Sequence, residues 1–425
     1  MKKQHGQKHI YVYADWDGLG GTKLLGQLNV SVTRGKEVFY FEYDDDWLRS
    51  EQAQVLDPDL GLYSGPQYLS EGKSNFGLFF DSSPDRWGRL LMKRREAVSA
   101  RNEDRPVKIL YESDFLLGVF DGHRMGALRF KLDPSGDYLD NNSINASPPW
   151  TKLRVLEFAS MQVEDEGNFE DPDYLEWLKL LITPGSSLGG ARPKSSVIDP
   201  QDGLWIAKFP SKKDQFNVGA WEMVAHVLAL QSGINVPESR IDRFSSRFHT
   251  YLSKRFDRVN IGQRIHFASA LTLLGYTDGV SYTDGVSYLE LAEFIIQNGA
   301  RVNDDLKELW KRIVFYICVS NTDDHLRNHG FILTDNGWVL SPAYDINPVE
   351  SGTGLSLNIS EDDNSLDLKL AKEVAEYFRI NRQESDEIIA SITSIVRGWR
   401  TIATDIGISN SEQGLMSNAF RNVGA

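Results

Sequence analysis

Cysteine is nearly missing from this chain, because Cys318 is the single one among 425 residues. One cysteine excludes an intramolecular disulfide and favours a reducing, cytoplasmic compartment. Cys318 lies in the apolar run RIVFYICV, which predicts a buried, inert thiol. Apolar runs of the roughly 20 residues that span a bilayer are also missing. The N-terminal segment lacks the apolar core of a signal peptide, so it is not interpreted as one. Because no basic amphipathic helix is predicted either, we expect no contact with a membrane.

Basic residues are in short supply, with 46 Lys and Arg against 60 Asp and Glu, for a formal charge of −14. Such a chain is a poor direct ligand for the nucleic-acid backbone, so a DNA role would need a basic partner. The hydrophobic fraction of 41% and the charged fraction of 25% are typical of a soluble globular protein. The length suits two or three domains, or one large bilobal enzyme.

Residues 1–132 are predicted to form a β-rich domain. HIYVYAD, LLGQLNVSVTR and KEVFYFEYDD show the alternation and the aromatic content of strands. SSPDRWGRLLMKRREAVSA predicts a helix that starts at the serine before Pro84, and SDFLLGVFDGHRMGALRFKL predicts two strands around an Asp-Gly turn. The breaker-rich residues 133–149 are interpreted as a boundary.

Two further parts follow, 150–260 and 261–425. The first contains two helical segments (151–163 and 173–182), the loop TPGSSLGGARPKSSVI, the strand GLWIAKFPS and the helix VGAWEMVAHVLALQSG. The second is mostly helical from about residue 289. The tandem repeat YTDGVSYTDGVS precedes it. Two copies are too few for a solenoid, so we interpret the repeat as a loop duplication.

The polar stretch SNTDDHLRNHGF follows the apolar run around Cys318 directly. Asp323 and Asn328 have the spacing of the aspartate and asparagine in a protein-kinase catalytic loop. GFILTDNGWVLSPAYD then predicts a hairpin turning at Asn336–Gly337, which would deliver Asp345. One carboxylate and one amide oxygen suit Mg²⁺. Each residue alone could instead cap a helix or form an Asx turn, but the combination favours catalysis.

Cations and glycines upstream could complete a nucleotide site. Lys208 lies late in an apolar strand, where it could grip phosphate or stand exposed at an edge. Glu222 could pair with it or lie at the surface. Gly189 and Gly190 let backbone N–H groups approach phosphate or simply form a turn, and Lys194 adds charge.

Two residues of the polar stretch stay ambiguous. Asp324 could be a carboxylate that contacts the residues of the site without touching the ligand, or it could be a surface charge. His325 could contact phosphate, brace the loop or be purely structural. SKRFDR, at 253–258, could lie near an adenine ring.

SSLGGARPK, WIAKFP, KRFDR, NTDDHLRNHGF and PAYDINP occur together and in order. Together they resemble the HipA family of serine/threonine kinases, the toxin halves of toxin–antitoxin pairs, over nearly the whole chain. The resemblance implies an α+β, bilobal, protein-kinase-like fold, related to phosphatidylinositol-kinase-like cores. This sequence departs from the family at the Arg-Pro of GARPK, where proline removes an amide donor.

The resemblance also implies roles for individual residues, with ATP and Mg²⁺ as cofactors. Asp323 would be the catalytic aspartate, with Asn328 and Asp345 as magnesium ligands. Ser187, or the adjacent Ser186, would be autophosphorylated. Residues near the nucleotide would be Lys194, Lys208, Gly189, Gly190, Arg255, Phe256 and His325.

The partners implied by the resemblance are a HipB-like helix-turn-helix antitoxin, operator DNA reached mainly through that antitoxin, and a protein substrate. In the family such substrates are aminoacyl-tRNA synthetases. Two rival interpretations stay open: a lipid or small-molecule kinase, and a catalytically silent module that represses with its antitoxin.

Overall fold

The computed structural model describes residues 7–142, 147–182, 190–259 and 262–423. Its strands are β1 (Lys8–Ala14), β2 (Lys23–Thr33), β3 (Lys36–Tyr43), β4 (Gln67–Tyr68), β5 (Leu128–Lys131), β6 (Lys194–Ile198), β7 (Leu204–Lys208), β8 (Ser239–Asp242), β9 (Thr250–Lys254), β10 (Phe267–Ser269), β11 (Gly330–Thr334) and β12 (Gly337–Leu340). Its α-helices are α1 (Asp45–Leu48), α2 (Gly77–Phe80), α3 (Arg86–Asn102), α4 (Glu112–Leu117), α5 (Leu153–Glu164), α6 (Tyr174–Ile182), α7 (Val218–Gln231), α8 (Ala270–Leu273), α9 (Tyr288–Asn298), α10 (Val302–Val319), α11 (Leu368–Glu373), α12 (Arg382–Arg397), α13 (Trp399–Ile406) and α14 (Asn410–Met416).

The chain divides into two compact units. The N-terminal unit consists of Met1–Ala207 with Asp257–Thr277, and the C-terminal unit of Lys208–Phe256 with Asp278–Ala425. The division into 1–132, 150–260 and 261–425 stays a prediction.

An antiparallel sheet in the order β4-β3-β2-β1-β5 forms much of the N-terminal unit. Alternate residues of β1, namely Ile10, Val12 and Ala14, are fully buried. Ile10 lies opposite Leu28, and Leu28 lies opposite Phe41, so the apolar positions of neighbouring strands share one face. The three predicted N-terminal strands are therefore confirmed.

The strand expected at the start of SDFLLGVFDG is wrong. That segment forms α4, since the Asp114 side chain accepts a hydrogen bond from the Tyr111 backbone N–H at 3.1 Å and so caps a helical turn. The Asp-Gly pair lies in a 3₁₀ turn, Asp121–His123, and only β5 follows. Helix α3 also begins later than expected, because Asp85 is its N-cap and accepts from the Gly88 backbone N–H at 2.8 Å.

Helix α10 forms the core of the C-terminal unit, and its last residues, 313–319, are all fully buried. Burial raises the pKa of the Cys318 thiol to about 12, which confirms the expected buried thiol. Among the described residues, no helix combines the length and the apolar composition needed to cross a bilayer.

Strands β11 and β12 form the predicted hairpin after the polar stretch. Thr334 pairs with Gly337, so the turn residues are Asp335 and Asn336, one position earlier than expected. Gly337 has φ +119°, and a Cβ there would lie 2.7 Å from the Asn298 carbonyl oxygen. The position therefore requires glycine, and this requirement fixes the register in which the two strands pair.

Candidate active site

The polar loop at 321–328 leaves α10 from the interior of the C-terminal unit. Ser320 ends the helix in the left-handed region, with φ +51°, and its hydroxyl donates to the Ala419 carbonyl at 2.7 Å. A 3₁₀ turn, Leu326–Asn328, closes the loop. Because the helix end is buried, the loop starts at the core, unlike an ordinary surface connection.

Asn328 joins the two ends of this loop. Its Nδ2 donates to the backbone carbonyl of Asp323 at 2.9 Å. Its Oδ1 is buried and accepts no hydrogen bond from any residue in the described ranges. Asp323 itself is exposed. The loop thus combines an exposed carboxylate with a buried amide oxygen that takes no hydrogen bond from the part of the chain that the structure describes.

Asp345 has a left-handed backbone, with φ +59°. This conformation is uncommon for a residue with a Cβ and tends to occur at functional sites. Its Oδ1 accepts from Lys208 Nζ at 2.6 Å and from Asn347 Nδ2 at 3.4 Å. The Oδ1 of Asn347 is buried and, among described residues, accepts no hydrogen bond. Asn347 therefore offers a second amide oxygen close to the carboxylate.

Lys208 ends β7 and lies between two carboxylates. Its Nζ is 2.5 Å from Glu222 Oε1 on α7 and 2.6 Å from Asp345 Oδ1. Burial alone would lower the pKa of Lys208, but Asp345 and Glu222 outweigh it and raise that pKa above its ordinary value. The Nζ is also 5.6 Å from the centroid of the Tyr251 ring. The lysine is therefore a fixed cation, and the structure shows the pairing with Glu222 that the sequence left open.

Hydrogen bonds hold the Asp345 segment beside the polar loop. The Tyr344 hydroxyl donates to the Arg327 carbonyl at 2.8 Å, next to Asn328. The Asn347 backbone N–H donates to Asn321 Oδ1 at 3.0 Å. These contacts connect residues that flank Asn328 and Asp345, so both lie in one part of the C-terminal unit.

A buried layer lies beneath the loop. Asp324 Oδ2 accepts from the Tyr288 hydroxyl at 2.5 Å and bonds His329 Nε2 at 2.7 Å. Asp324 is 1% exposed and His329 is fully buried, so Asp324 is not a surface charge. Burial raises the pKa of Tyr288 well above its ordinary value, and the neighbouring Asp324 carboxylate adds to the effect.

Three other residues were predicted to lie near the nucleotide. The Phe256 ring lies 5.7 Å from that of Tyr344, and Arg255 is buried. The His325 backbone N–H donates to the Asp323 carbonyl at 3.1 Å. His325 Nδ1 is buried and has no hydrogen-bond partner among described residues. Their assignment to nucleotide binding stays a prediction.

The remaining predicted residues belong to the N-terminal unit. Lys194 is buried, and its Nζ lies 2.8 Å from Asp85 Oδ2 and 3.3 Å from the Gly190 carbonyl. Gly190 is exposed with φ +109°. Gly189, Ser186 and Ser187 lie outside the described residues. The structure thus gives Lys194 a carboxylate partner, and its role toward phosphate stays a prediction.

The oxygen atoms at this site fit a hard divalent cation. Asp345 offers a carboxylate, and Asn328 offers a buried amide oxygen that the protein leaves unpaired among described residues. Within the described ranges, no group of three or more His, Cys, Asp or Glu side chains is arranged to hold a metal ion. A cation here would therefore take few protein ligands and the rest from elsewhere, as Mg²⁺ does beside phosphate.

A family model described as the HipA-like C-terminal domain matches residues 186–399, half of the chain. The chain belongs to the HipA family. A search of curated proteins finds a relative named "Putative kinase" from Haemophilus influenzae, 27% identical over 179 residues. That match covers 38% of this chain and spans only 52% of the relative's length.

A solved structure shows the same fold. HipA from the Shewanella oneidensis MR-1 complex of HipA, HipB and operator DNA aligns with a TM-score of 0.66 and 18% identity, over 97% of this chain and 95% of that one. The chain therefore has the mixed α and β fold of HipA. The Helicobacter pylori proinflammatory kinase CtkA aligns at 16% identity over 55% of this chain and 92% of its own, but its TM-score of 0.36 is too low to support an argument.

Sequence reasoning missed three features of this HipA-family site. The Lys208–Asp345 contact joins residues 137 positions apart, and no local pattern predicts it. Tyr288 lies just after the tandem repeat, and the repeat was interpreted as a loop duplication without a role for this tyrosine. Asn347 is part of PAYDINP, and a polar residue two positions after the aspartate was the available signal.

Proposed function

We propose that this chain is an ATP- and Mg²⁺-dependent serine/threonine protein kinase and the toxin of a toxin–antitoxin pair. The observation that carries the proposal is Lys208 held between Glu222 and Asp345, on a segment whose Tyr344 bonds the carbonyl of Arg327, next to Asn328. A fixed cation, a metal-suited carboxylate and an exposed aspartate on a preceding loop are the parts that phosphoryl transfer requires.

Each residue would have a distinct role. Asp323, which is exposed, would accept a hydrogen bond from the attacking serine hydroxyl and orient it. Lys208 would hold phosphate oxygens, since its raised pKa keeps it charged. Asn328 and Asp345 would hold Mg²⁺, which when bound would neutralise charge on the transferring phosphoryl group. Most of the rate would come from placement and electrostatics.

The partners in this proposal follow the family. HipA from Shewanella oneidensis is found in a complex with HipB and operator DNA. For this chain we propose a helix-turn-helix antitoxin that supplies the basic surface a chain of charge −14 lacks. The substrate would be a translation protein such as an aminoacyl-tRNA synthetase, with autophosphorylation at Ser187 or Ser186. The bilobal, kinase-like arrangement stays a prediction from the resemblance.

Labelled ATP tests the proposal. The purified full chain, incubated with γ-labelled ATP and Mg²⁺, should label itself and a protein substrate on serine or threonine. D323N and D345N should lose the transfer, whereas D386N, which changes an exposed aspartate on α12, should retain it. Transfer only to a lipid or a small molecule would support the rival kinase. Nucleotide binding without any transfer would support the silent co-repressor and refute the proposal.

A further inference from the structure

The loop that carries Asp323 and Asn328 has an outer and an inner pair of residues. The outer pair is Asp323 and Asn328, five positions apart. The inner pair, Asp324 and His329, has the same spacing shifted by one residue and is closed by a 2.7 Å contact between Asp324 Oδ2 and His329 Nε2. Each inner residue is therefore the chain neighbour of an outer one.

We propose that Asp324 is a positioning residue, which acts with His329 and Tyr288 to fix the loop that presents Asp323 and Asn328. This inference rests on the proposed function, because it assigns the loop's geometry to phosphoryl transfer. Asp324 touches neither substrate nor cofactor in this scheme. It acts through the backbone of the residues beside it.

The short backbone explains how the inner pair controls the outer one. Between the two pairs, the His325 N–H donates to the Asp323 carbonyl at 3.1 Å, and the Asn328 N–H donates to the His325 carbonyl at 2.8 Å. Asn328 Nδ2 adds its bond to the Asp323 carbonyl at 2.9 Å. With so few free torsions, anchoring Asp324 and His329 in the core determines the directions of Asp323 and Asn328.

Tyr288 attaches this loop to helix α9. Its hydroxyl donates to Asp324 Oδ2 at 2.5 Å, and its ring meets the His329 ring edge-on, with centroids 5.7 Å apart. Ser287, the N-cap of α9, is the last residue of the second YTDGVS copy, and its N–H donates to Glu290 Oε2 at 3.0 Å.

The second copy of the repeat fixes the backbone of Tyr288. The Tyr288 N–H donates to the Asn358 carbonyl at 2.9 Å, and the Asn358 N–H donates to the Val286 carbonyl at 2.9 Å. Asn358 Nδ2 also donates to the Tyr282 carbonyl at 3.1 Å. The duplicated segment thus ends in an ordered turn that holds the tyrosine against the loop.

Burying the Asp324 carboxylate beside His329 costs free energy that a purely structural contact would not require. Asp324 is 1% exposed and His329 fully buried, and a buried carboxylate costs free energy that its hydrogen bonds only offset. An apolar pair of similar volume would fill the space, but it would not define a direction as hydrogen bonds do. Fixed direction is what two groups aimed at one phosphoryl group need.

Steady-state kinetics of D324N and Y288F test the inference. We expect kcat of D324N to fall roughly 10- to 100-fold, with the KM for ATP at saturating Mg²⁺ changed by less than about threefold. Y288F keeps the ring and removes one hydrogen bond, so its kcat should fall less. The matched control is D305N, because Asp305 is 2% exposed and accepts from the Leu340 N–H at 3.0 Å, on the hairpin that follows the loop. D305N should lose stability but keep kcat within about twofold.

Hydrogen exchange separates this inference from the proposed function. Amides of residues 320–330 should exchange faster in D324N and Y288F than in the wild type, and not in D305N. If the wild type transfers no phosphate, the proposed function fails, and exchange still decides whether Asp324 anchors the loop. An active wild type with unchanged kcat and unchanged loop exchange in both D324N and Y288F would overturn the inference.

Discussion

Replacing Lys208 by methionine tests the charge balance of the site most directly. The lysine is the shared partner of Glu222, whose side chain is 5% exposed, and of Asp345, whose side chain is 28% exposed. Methionine fills much of the same volume but removes the Lys208 ammonium from the buried Glu222 carboxylate. K208M should therefore lose phosphoryl transfer and should also be less stable than the wild type.

The size of the stability loss follows from burial. Removing one partner of a buried ion pair costs about 3–5 kcal/mol. The Glu222 carboxylate is nearly fully buried, whereas the Asp345 carboxylate can recover hydration. We therefore expect the free energy of unfolding to decrease by about 3 kcal/mol, the lower end of that range. The C-terminal unit has about 200 residues, for which 1 kcal/mol shifts Tm by about 2–4 °C, giving a decrease of about 6–12 °C.

A double-mutant cycle measures this effect by thermal unfolding at pH 7. Adding E222Q to K208M removes the buried charge and should restore about half or more of the lost Tm. Phosphoryl transfer should not return, because the cation for phosphate is still missing. K208M melting within about 2 °C of the wild type, or a double mutant less stable than K208M, would refute this account of the ion pair.

Two further predictions concern metal and pH. Mn²⁺ binding without nucleotide can be measured by electron paramagnetic resonance. K208M should bind Mn²⁺ about tenfold or more tightly than the wild type does, because Lys208 no longer competes for the Asp345 carboxylate. Weaker binding by K208M would argue against Asp345 as a ligand. Burial lowers the pKa of His226 to about 4. As pH falls from about 6.5 toward 4, this histidine therefore binds a proton in the unfolded chain before it does so in the folded chain. The free energy of unfolding should decrease by about 2–3 kcal/mol over that range. Urea unfolding of H226L should lack that part of the pH dependence, and an unchanged slope would exclude His226 as its source.

Local patterns were enough to predict much of the fold. The alternation in β1 and β3 reflects one buried face, and the apolar second half of α10 reflects a helix buried on every side. Such signals survive because the burial of one face, or of the whole element, imposes its pattern on residues that are close in the sequence.

The errors occurred where a side-chain cap decided between competing structures. FLLGVF is compatible with a strand, but Asp114 at the third helical position makes its first three residues part of α4. Asp85 likewise displaces the expected start of α3, and the pairing of Thr334 with Gly337 moves the hairpin turn by one residue. These choices depend on single hydrogen bonds that composition does not reveal.

The site was predictable in its residue types and not in its connections. The Asp323–Asn328 spacing and the aspartate after the hairpin are local, so the sequence displays them. The contacts of Lys208 with Asp345 and of Tyr288 with Asp324 span 137 and 36 positions. They arise only when packing brings separate elements together, and a single sequence carries no sign of them.

The charge around Lys208 also explains why the proposed kinase should take its nucleotide together with a divalent cation. Glu222 and Asp345 carry more negative charge than one lysine neutralises. A bare triphosphate approaching these carboxylates would be repelled, whereas a metal-bound triphosphate brings the positive charge that Asp345 needs once Lys208 turns to phosphate. Glu222 is the more buried of the two partners, so it can retain Lys208 during that exchange. We therefore expect the proposed transfer to require a divalent cation.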